Sequence, residues 1–363
     1  MKTAIILGAG ASKSEGAPLQ GEIFKEYFKL VRRRRGRSTN MESELAFFFR
    51  RMFGIDVFQD DLDKILFPTF EEALGILDLA IRREETLKEF GLENTTTNGS
   101  RIRFVRQYLI LLMAKVLDEK LKGGQIFHPR LISNLIESNF LKETVFVSTN
   151  YDILIDNALE SNYHDIEVDY GVEFANLHRQ LLKEGTPSSV KLYKIHGSLN
   201  WLYCPTCNSL TLTRFVKGVV GLTREISKPA CQRCNSVVAP IIVPPTFYKE
   251  LSNVYLSTIW NKAEQALREV QHIVFCGYSF PDADMHLKYL MKRIQTNRKG
   301  KFRVSVVNNH RDKKESDSKQ EIERFKRFLG KRVNYTELSF EQFCAEPLSL
   351  LATQGGQVAG RRI

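Results

Sequence analysis

Four of the six cysteines form the most specific chemical pattern in the sequence. They lie in two Cys-x2-Cys hooks, Cys204 with Cys207 and Cys231 with Cys234, and 23 residues separate the hooks. Two such hooks can direct four thiolates at one tetrahedral Zn²⁺. Four unrelated thiols or two disulfides are the alternatives, and an intracellular chain disfavours disulfides. Because four thiolates fill the coordination shell, we expect a structural and not a catalytic zinc ion.

Small and polar residues follow several apolar segments that are predicted to be strands. These segments span residues 3–7, 144–148, 191–195, 272–276 and 303–307. The residues that follow them are Gly8, Ala9 and Gly10, then Asn150 with Asp152, then His196, then Gly277 with Ser279, and finally Asn308. Ligands bind outside the carboxyl ends of the strands in an open parallel sheet. We therefore expect these residues to meet at one edge of one sheet.

The first of these turns is similar to the start of a dinucleotide-binding loop. In Gly8-Ala9-Gly10-Ala11-Ser12, the glycines would let backbone N–H groups approach a pyrophosphate. The third glycine of that loop is absent, because Lys13 occupies its position. No acidic residue ends a second strand about 20 residues later, as a dehydrogenase requires. Taken alone, the turn is weak evidence for nucleotide binding.

Strands and helices alternate along most of the chain. Residues 21–31, 70–87, 102–121 and 130–138 have helical apolar spacing, and they separate the first strand from the second. Further helices are predicted at 251–270, 283–294 and 319–329, and further strands at 240–243 and 333–338. This alternation predicts an α/β fold, a Rossmann-like parallel sheet with helices on both faces.

Composition and charge bound the class of protein. With 43% hydrophobic and 26% charged residues, the 363-residue chain is typical of a globular protein. No apolar run is long enough for a membrane span, and no secretory signal is recognised, so we expect a soluble, cytoplasmic protein. The net charge of +11 is concentrated near residues 32–37, 311–314 and 324–332. These clusters are either solvated surfaces or contacts for nucleic acid or an acidic partner.

The motifs together resemble the sirtuin (SIR2) superfamily, and within it the SIR2-like NAD hydrolases of bacterial antiphage defence. They occur in the family's order between about residues 1 and 338. The motifs are Gly8-Ala-Gly10-Ala-Ser12 with Gly16-Ala-Pro18, Thr149-Asn150-Tyr151-Asp152, Lys194-Ile-His196-Gly197-Ser198, the four cysteines, Gly277-Tyr-Ser279-Phe-Pro-Asp282-Ala-Asp284 and Asn308-Asn309.

The resemblance implies a single SIR2-like domain over residues 1–350. A helical insertion would occupy about 21–143 and a zinc module about 200–239, and residues 351–363 would form a disordered tail. NAD⁺ would be the substrate and Zn²⁺ a structural ion. Asn150, His196 and Asp152 would be catalytic. The residues expected to bind NAD⁺ are Gly8, Ala9, Gly10, Ser12, Pro18, Gly277, Ser279, Asp282 and Asn308.

Two departures from the deacylase branch favour an NAD⁺ hydrolase. Leu19, Gln20 and Gly21 follow Pro18, where deacylases have Asp-Phe-Arg. Residues 239–245 stand where deacylases have the Phe-Gly-Glu segment of the acyl-lysine channel. The expected activity is cleavage of NAD⁺ to nicotinamide and ADP-ribose, which would deplete NAD⁺ in an abortive antiphage response. A protein deacylase and a non-catalytic NAD⁺ or ADP-ribose sensor are the alternatives.

Several roles stay open at the level of sequence. Asp152 either orients the nicotinamide half and stabilises a developing cation, or it caps the helix that follows. Asp282 and Asp284 could cap the next helix, and His196 could be a core histidine. The resemblance also implies a homo-oligomer and an activating partner such as a HerA-type ATPase. Direct nucleic-acid binding remains undecided.

Overall fold

The computed structural model describes most of the chain. The described residues are 2–34, 38–90, 101–162, 167–177, 189–214, 217–221, 230–242, 253–282, 284–298, 300–310 and 313–352. Residues 353–363 of the predicted tail lie outside them, as do Arg35, Arg37 and Arg311 of the basic clusters.

The described strands form two sheets. The strands are β1 (Thr3–Leu7), β2 (Thr144–Ser148), β3 (Val168–Asp169), β4 (Val190–Lys194), β5 (Gly197–Cys204), β6 (Ser209–Leu212), β7 (Ala239–Ile242), β8 (His272–Cys276), β9 (Arg303–Val307) and β10 (Asn334–Thr336). Seven of them form a sheet in the order β10-β9-β8-β1-β2-β4-β3, and all neighbours are parallel. This confirms the predicted α/β class. Strand order reverses between β1 and β8, which is where such sheets bind ligands.

The second sheet carries the first cysteine hook. It is antiparallel, in the order β6-β5-β7, and β5 continues directly from the turn after β4. The sequence pattern predicted β7 but gave no strand for β5 or β6. Cys204 ends β5, and Cys207 lies in the turn that leads to β6.

Helices connect the strands and fill the predicted insertion. They are α1 (Ala9–Lys13), α2 (Ile23–Arg33), α3 (Asn40–Phe53), α4 (Phe70–Arg82), α5 (Arg101–Lys120), α6 (Phe127–Glu137), α7 (Leu154–Asn162), α8 (Gly218–Gly221), α9 (Val254–Glu269), α10 (Met285–Asn297), α11 (Glu315–Leu329), α12 (Phe340–Ala345) and α13 (Leu348–Leu351), with a 3-10 turn at Leu141–Glu143. None of the described helices combines the length and the apolar character that crossing a bilayer requires.

The ends of the insertion helices follow from local sequence. Thr39 and Thr69 each form a capping box with a glutamate three residues later, at the starts of α3 and α4. Helix α3 was missed in the sequence. Helix α2 continues to Arg33, where basic side chains in its last turn suit the helix dipole.

Two hydrophobic cores result. The sheet core lies around the large sheet and includes Ile5, Phe146, Leu192 and Phe275. The insertion core is formed mainly by α2–α5, with Phe24, Phe28, Phe49, Leu77 and Leu112, and it extends to Cys204 and Cys231 of the cysteine hooks. Helix α6 packs on α7 and α12, and its apolar side chains belong to the sheet core.

Candidate active site

A cavity of about 760 Å³ lies beside the turns that follow β1 and β8, at the carboxyl edge of the large sheet. Helices α4 and α5 of the insertion also contribute to its wall, through residues such as Glu71 and Met113. Most of the candidate residues predicted from the sequence line this cavity. They are Ala9, Gly10, Ser12, Pro18, Asn150, Asp152, His196, Gly277, Ser279 and Asn308.

The amide of Asn150 is held in one orientation. Its Nδ2 donates to the Gly8 carbonyl at 2.8 Å and to Ser12 Oγ at 2.8 Å. A backbone carbonyl can only accept, so this contact identifies the nitrogen end of the amide. Both amide hydrogens are used inside the protein. A ligand therefore meets Asn150 through Oδ1, which can accept a hydrogen bond from a water or a hydroxyl.

Asp152 caps the following helix and also lines the cavity. Its Oδ2 accepts a hydrogen bond from Ser12 Oγ at 2.7 Å, which joins it to the Asn150 network. Its Oδ1 accepts from the backbone N–H of Leu154 at 3.1 Å, at the start of α7. The carboxylate is buried in the cavity wall. Capping of the helix thus holds a negative charge beside the cavity.

His196 lies two residues after the end of β4, and its imidazole is oriented by the backbone. Nδ1 lies 3.1 Å from the Thr149 carbonyl, which can only accept, so Nδ1 carries a hydrogen. In the neutral ring, Nε2 is then the proton acceptor. The Trp260 indole donates to the Ile195 carbonyl at 2.8 Å and fixes the turn that holds the ring.

The glycine turns after β1 and β8 lie against each other. Gly10 N–H donates to the Gly277 carbonyl at 2.7 Å, and Gly8 N–H donates to the Cys276 carbonyl at 2.9 Å. Gly277 has a φ of +62°, and a Cβ there would lie 2.0 Å from the nitrogen of Ala11. Glycine is therefore needed for backbone packing at this point. The two N–H groups bond to protein carbonyls, whereas the loop motif predicts contact with a pyrophosphate.

Asn308 lies at the end of β9 and is oriented by a buried glutamate. Its Nδ2 donates to the Tyr278 carbonyl at 2.9 Å and to Glu321 Oε1 at 2.5 Å, which leaves Oδ1 for a ligand. Burial opposes ionisation of Glu321, but hydrogen bonds from Lys313 and Tyr335 outweigh burial and lower its pKa. Glu321 was missed in the sequence, although the spacing of Ser318, Glu321 and Phe325 marks the buried face of α11.

Two candidates lie outside the cavity lining. Gly8 supports it from behind, through the carbonyl that accepts from Asn150. The Asp282 side chain is 65% exposed and accepts from Lys288 Nζ at 2.7 Å, and this hydrogen bond lowers its pKa. Asp284, two residues later, is buried and does line the cavity.

A buried ion pair supports the loop that carries Asp152. Lys194 is fully buried, and its Nζ donates to Asp156 Oδ2 at 2.9 Å and also to the Asp152 carbonyl. Tyr170 donates its hydroxyl to Asp156 Oδ1 at 3.0 Å. The sequence gave no sign of this pair, because its members are 38 positions apart and Asp156 resembles an ordinary acidic residue in the first turn of a helix.

The four hook cysteines converge as their spacing predicted. Their sulfur atoms all lie within 4.8 Å of one another, and Cys204–Cys234 and Cys207–Cys231 are 3.5 and 3.6 Å apart. A tetrahedral ion with 2.3 Å bonds to sulfur needs separations of about 3.8 Å. All six cysteines are free in the structure. The cluster is compatible with a zinc ion.

Comparison with known proteins places the chain in a family. Two solved structures align with 97% of the chain and 93% of their own: "Structure of Sir2Tm bound to a propionylated peptide" at 14% identity and a TM-score of 0.43, and "Sir2 bound to acetylated peptide" at 14% and 0.42. No curated protein sequence matches the chain. The family model described as SIR2-like domain matches residues 144–329. This segment is slightly more than half of the 363 residues, and it includes Asn150, His196 and the four hook cysteines. The chain therefore belongs to the SIR2-like domain family.

Proposed function

We propose that the protein is an NAD⁺ glycohydrolase that releases nicotinamide and ADP-ribose. The observation that supports this most is the meeting of Asn150, Asp152 and His196 in one cavity at the point where strand order reverses. The cavity volume of about 760 Å³ is within the usual range for small-molecule and cofactor sites.

The reaction depends more on the positioning of the sugar and the water than on a strong nucleophile. When the bond between ribose C1′ and the nicotinamide nitrogen breaks, its electron pair goes to the nitrogen and neutral nicotinamide leaves. Positive charge then develops at C1′, and water adds there. A site for this step must hold the sugar in place, stabilise the cation and accept one proton.

The three side chains supply these functions. Asp152 provides a buried negative charge for the developing cation. Asn150 Oδ1 can orient a water or a ribose hydroxyl without adding charge. His196 Nε2 can accept the proton, because in the neutral ring the hydrogen is on Nδ1, which donates to the Thr149 carbonyl. Asn308 and Ser279 line the same cavity and are assigned to the remainder of the dinucleotide.

The biological setting belongs to the same proposal. Uncontrolled loss of NAD⁺ would be toxic, so we propose that the protein acts in antiphage defence and is activated by a partner such as a HerA-type ATPase. We further propose a cytoplasmic homo-oligomer assembled through the insertion helices. Partly exposed apolar side chains on α4 and α5, among them Ile76, Leu79 and Phe104, are compatible with such contacts.

Nicotinamide release tests the activity. The purified protein is incubated with NAD⁺, alone and with the protein encoded beside it, and with or without an acetyl-lysine peptide. Asn150→Ala and His196→Gln are each expected to reduce release by on the order of 10²–10⁴-fold. His272→Gln is the matched control, because His272 lies at the other end of the strands, beside Ser305, and does not line the cavity.

The outcomes separate the alternatives. Release without peptide that both variants abolish supports the hydrolase. Release only with the peptide, together with deacetylation, would make the protein a deacylase. Binding of NAD⁺ without turnover under any condition would leave a sensor. A monomer at micromolar concentration in light scattering would contradict the proposed oligomer.

A further inference from the structure

A second carboxylate lies beside His196 in the same cavity. Asp284 is 1% exposed, and its Oδ2 is 3.9 Å from His196 Nε2. Tyr278 donates its hydroxyl to the same Oδ2 at 2.8 Å, and the backbone N–H of Leu287 approaches Oδ1 at 3.4 Å. Both Asp284 and His196 line the cavity. Asp284 is also the N-cap residue of the 13-residue helix α10, whose dipole favours a negative charge there.

The separation of Nε2 and Oδ2 fits one shared oxygen atom. A direct hydrogen bond would need about 3 Å, so 3.9 Å is too long for it. An oxygen placed between them can lie at about 2.8 Å from both atoms. Both atoms are acceptors when Nδ1 carries the imidazole hydrogen. An oxygen that satisfies both must then donate two hydrogens, which water does and an alcohol does not.

We propose that Asp284 is a catalytic residue that holds the hydrolytic water together with His196. The inference rests on the proposed NAD⁺ glycohydrolase activity. One hydrogen of the water is directed to His196 Nε2 and the other to Asp284 Oδ2. As the water oxygen bonds to C1′ and the C1′–N bond breaks toward nicotinamide, Nε2 takes one proton. The second hydrogen stays on the new ribose hydroxyl, which keeps its hydrogen bond to Asp284 Oδ2.

Asp284→Asn tests this inference directly, because it removes the carboxylate and changes little else in the structure. Asparagine is as good a helix cap as aspartate, so α10 keeps its first turn. The substitution removes the charge, and an amide NH₂ placed at Oδ2 cannot accept a hydrogen from water. Asp56→Asn is the matched control, since Asp56 also accepts backbone N–H groups, of Phe58 and Gln59, but does not line the cavity.

Steady-state kinetics and product analysis test the inference, with melting temperature as the check on folding. Asp284→Asn is expected to lower kcat for nicotinamide release by on the order of 10²-fold, with NAD⁺ affinity changed less than about threefold. In a His196→Gln background, Asp284→Asn should lower kcat by less than a further factor of about three, because both residues act on one water. With methanol added, the wild type should form little O-methyl ADP-ribose, whereas Asp284→Asn should raise the ratio of methanolysis to hydrolysis.

Failure of the inference is distinguishable from failure of the proposed function. An active wild type with an unchanged kcat and product ratio in Asp284→Asn would overturn the inference alone. A weaker NAD⁺ affinity with unchanged kcat would also overturn it and would assign Asp284 to the ribose hydroxyls. A wild type that releases no nicotinamide in any condition would remove the proposed function, and the inference with it.

Discussion

The regions around the sheet core and the insertion core differ in the charged side chains that they bury. Around the large sheet, charged and polar groups such as Lys194, Asp156 and Asp152 are buried and bonded to one another. Clustered aromatic rings occur in both cores, for example Phe24 with Phe49 in the insertion core and Phe280 with Phe325 in the sheet core, with ring centres 4.7 and 4.9 Å apart. The comparison teaches that the ends of the parallel strands carry the candidate catalytic residues, whereas the insertion supplies packing and part of the cavity wall.

The largest expected effect concerns the cysteine cluster, where the insertion core meets the small sheet. We expect one zinc ion per purified chain, and Cys204→Ser should remove it and greatly lower stability, because metal binding is coupled to folding. Elemental analysis and thermal unfolding measure the two effects. Cys276→Ala, in the sheet core, should lower stability but keep the ion. Retention of zinc in Cys204→Ser would contradict this assignment.

The next effect concerns the buried ion pair of the sheet region. Lys194→Met should lower the free energy of unfolding by about 3–5 kcal/mol, because Asp156 is left buried without its cation. The double variant Lys194→Met with Asp156→Leu should lose less free energy of unfolding than Lys194→Met alone. Urea denaturation measures both, and Lys319→Met, in the exposed pair with Glu315, should show no measurable change. An equal loss of unfolding free energy in Lys194→Met and Lys319→Met would contradict this prediction.

A third prediction concerns pH and the contact of Glu15 with α6. Burial alone would raise the pKa of Glu15, but hydrogen bonds from His128 and from backbone N–H groups lower it from 4.5 to about 2. A lowered pKa in the folded state means stability that is present above pH 4.5 and lost as the pH falls toward 2. At neutral pH it amounts to roughly 3 kcal/mol.

Glu15→Gln tests this contribution. The variant should be less stable than the wild type at pH 7, and the difference should shrink as the pH is lowered from 5 to 3. Urea denaturation across this range measures it. A difference that stays constant with pH would show that the Glu15 charge does not contribute.

The smallest expected effect lies on the surface of the insertion. Arg101 forms a bidentate pair with Glu44 and lies 4.1 Å from the centre of the Phe47 ring, in a partly exposed position. Arg101→Ala should cost about 1 kcal/mol, and the cost should decrease in high salt. A loss as large as that of Lys194→Met would contradict the contrast between the two regions.

Much of the large sheet could be predicted from local sequence. Strands buried on both faces are short apolar runs, so residues 3–7, 144–148, 272–276 and 303–307 were predicted with the bounds that the structure has. Helix α3 was missed because Phe47, Phe48 and Phe49 are consecutive and obscure the helical period. The bounds of the single domain, the insertion and the zinc module stay predictions.

The sequence by itself determined the class of fold, the cysteine cluster and the residues that follow each strand. These depend on local spacing, and parallel strands bring their carboxyl ends together whatever the details of packing. Only the tertiary structure decided which groups meet across long sequence distances. Asp284 lies beside His196, Lys194 donates to the Asp152 carbonyl, and Glu321 accepts from Asn308. Buried polar groups must find partners when the elements pack, and no local pattern records which partners those are.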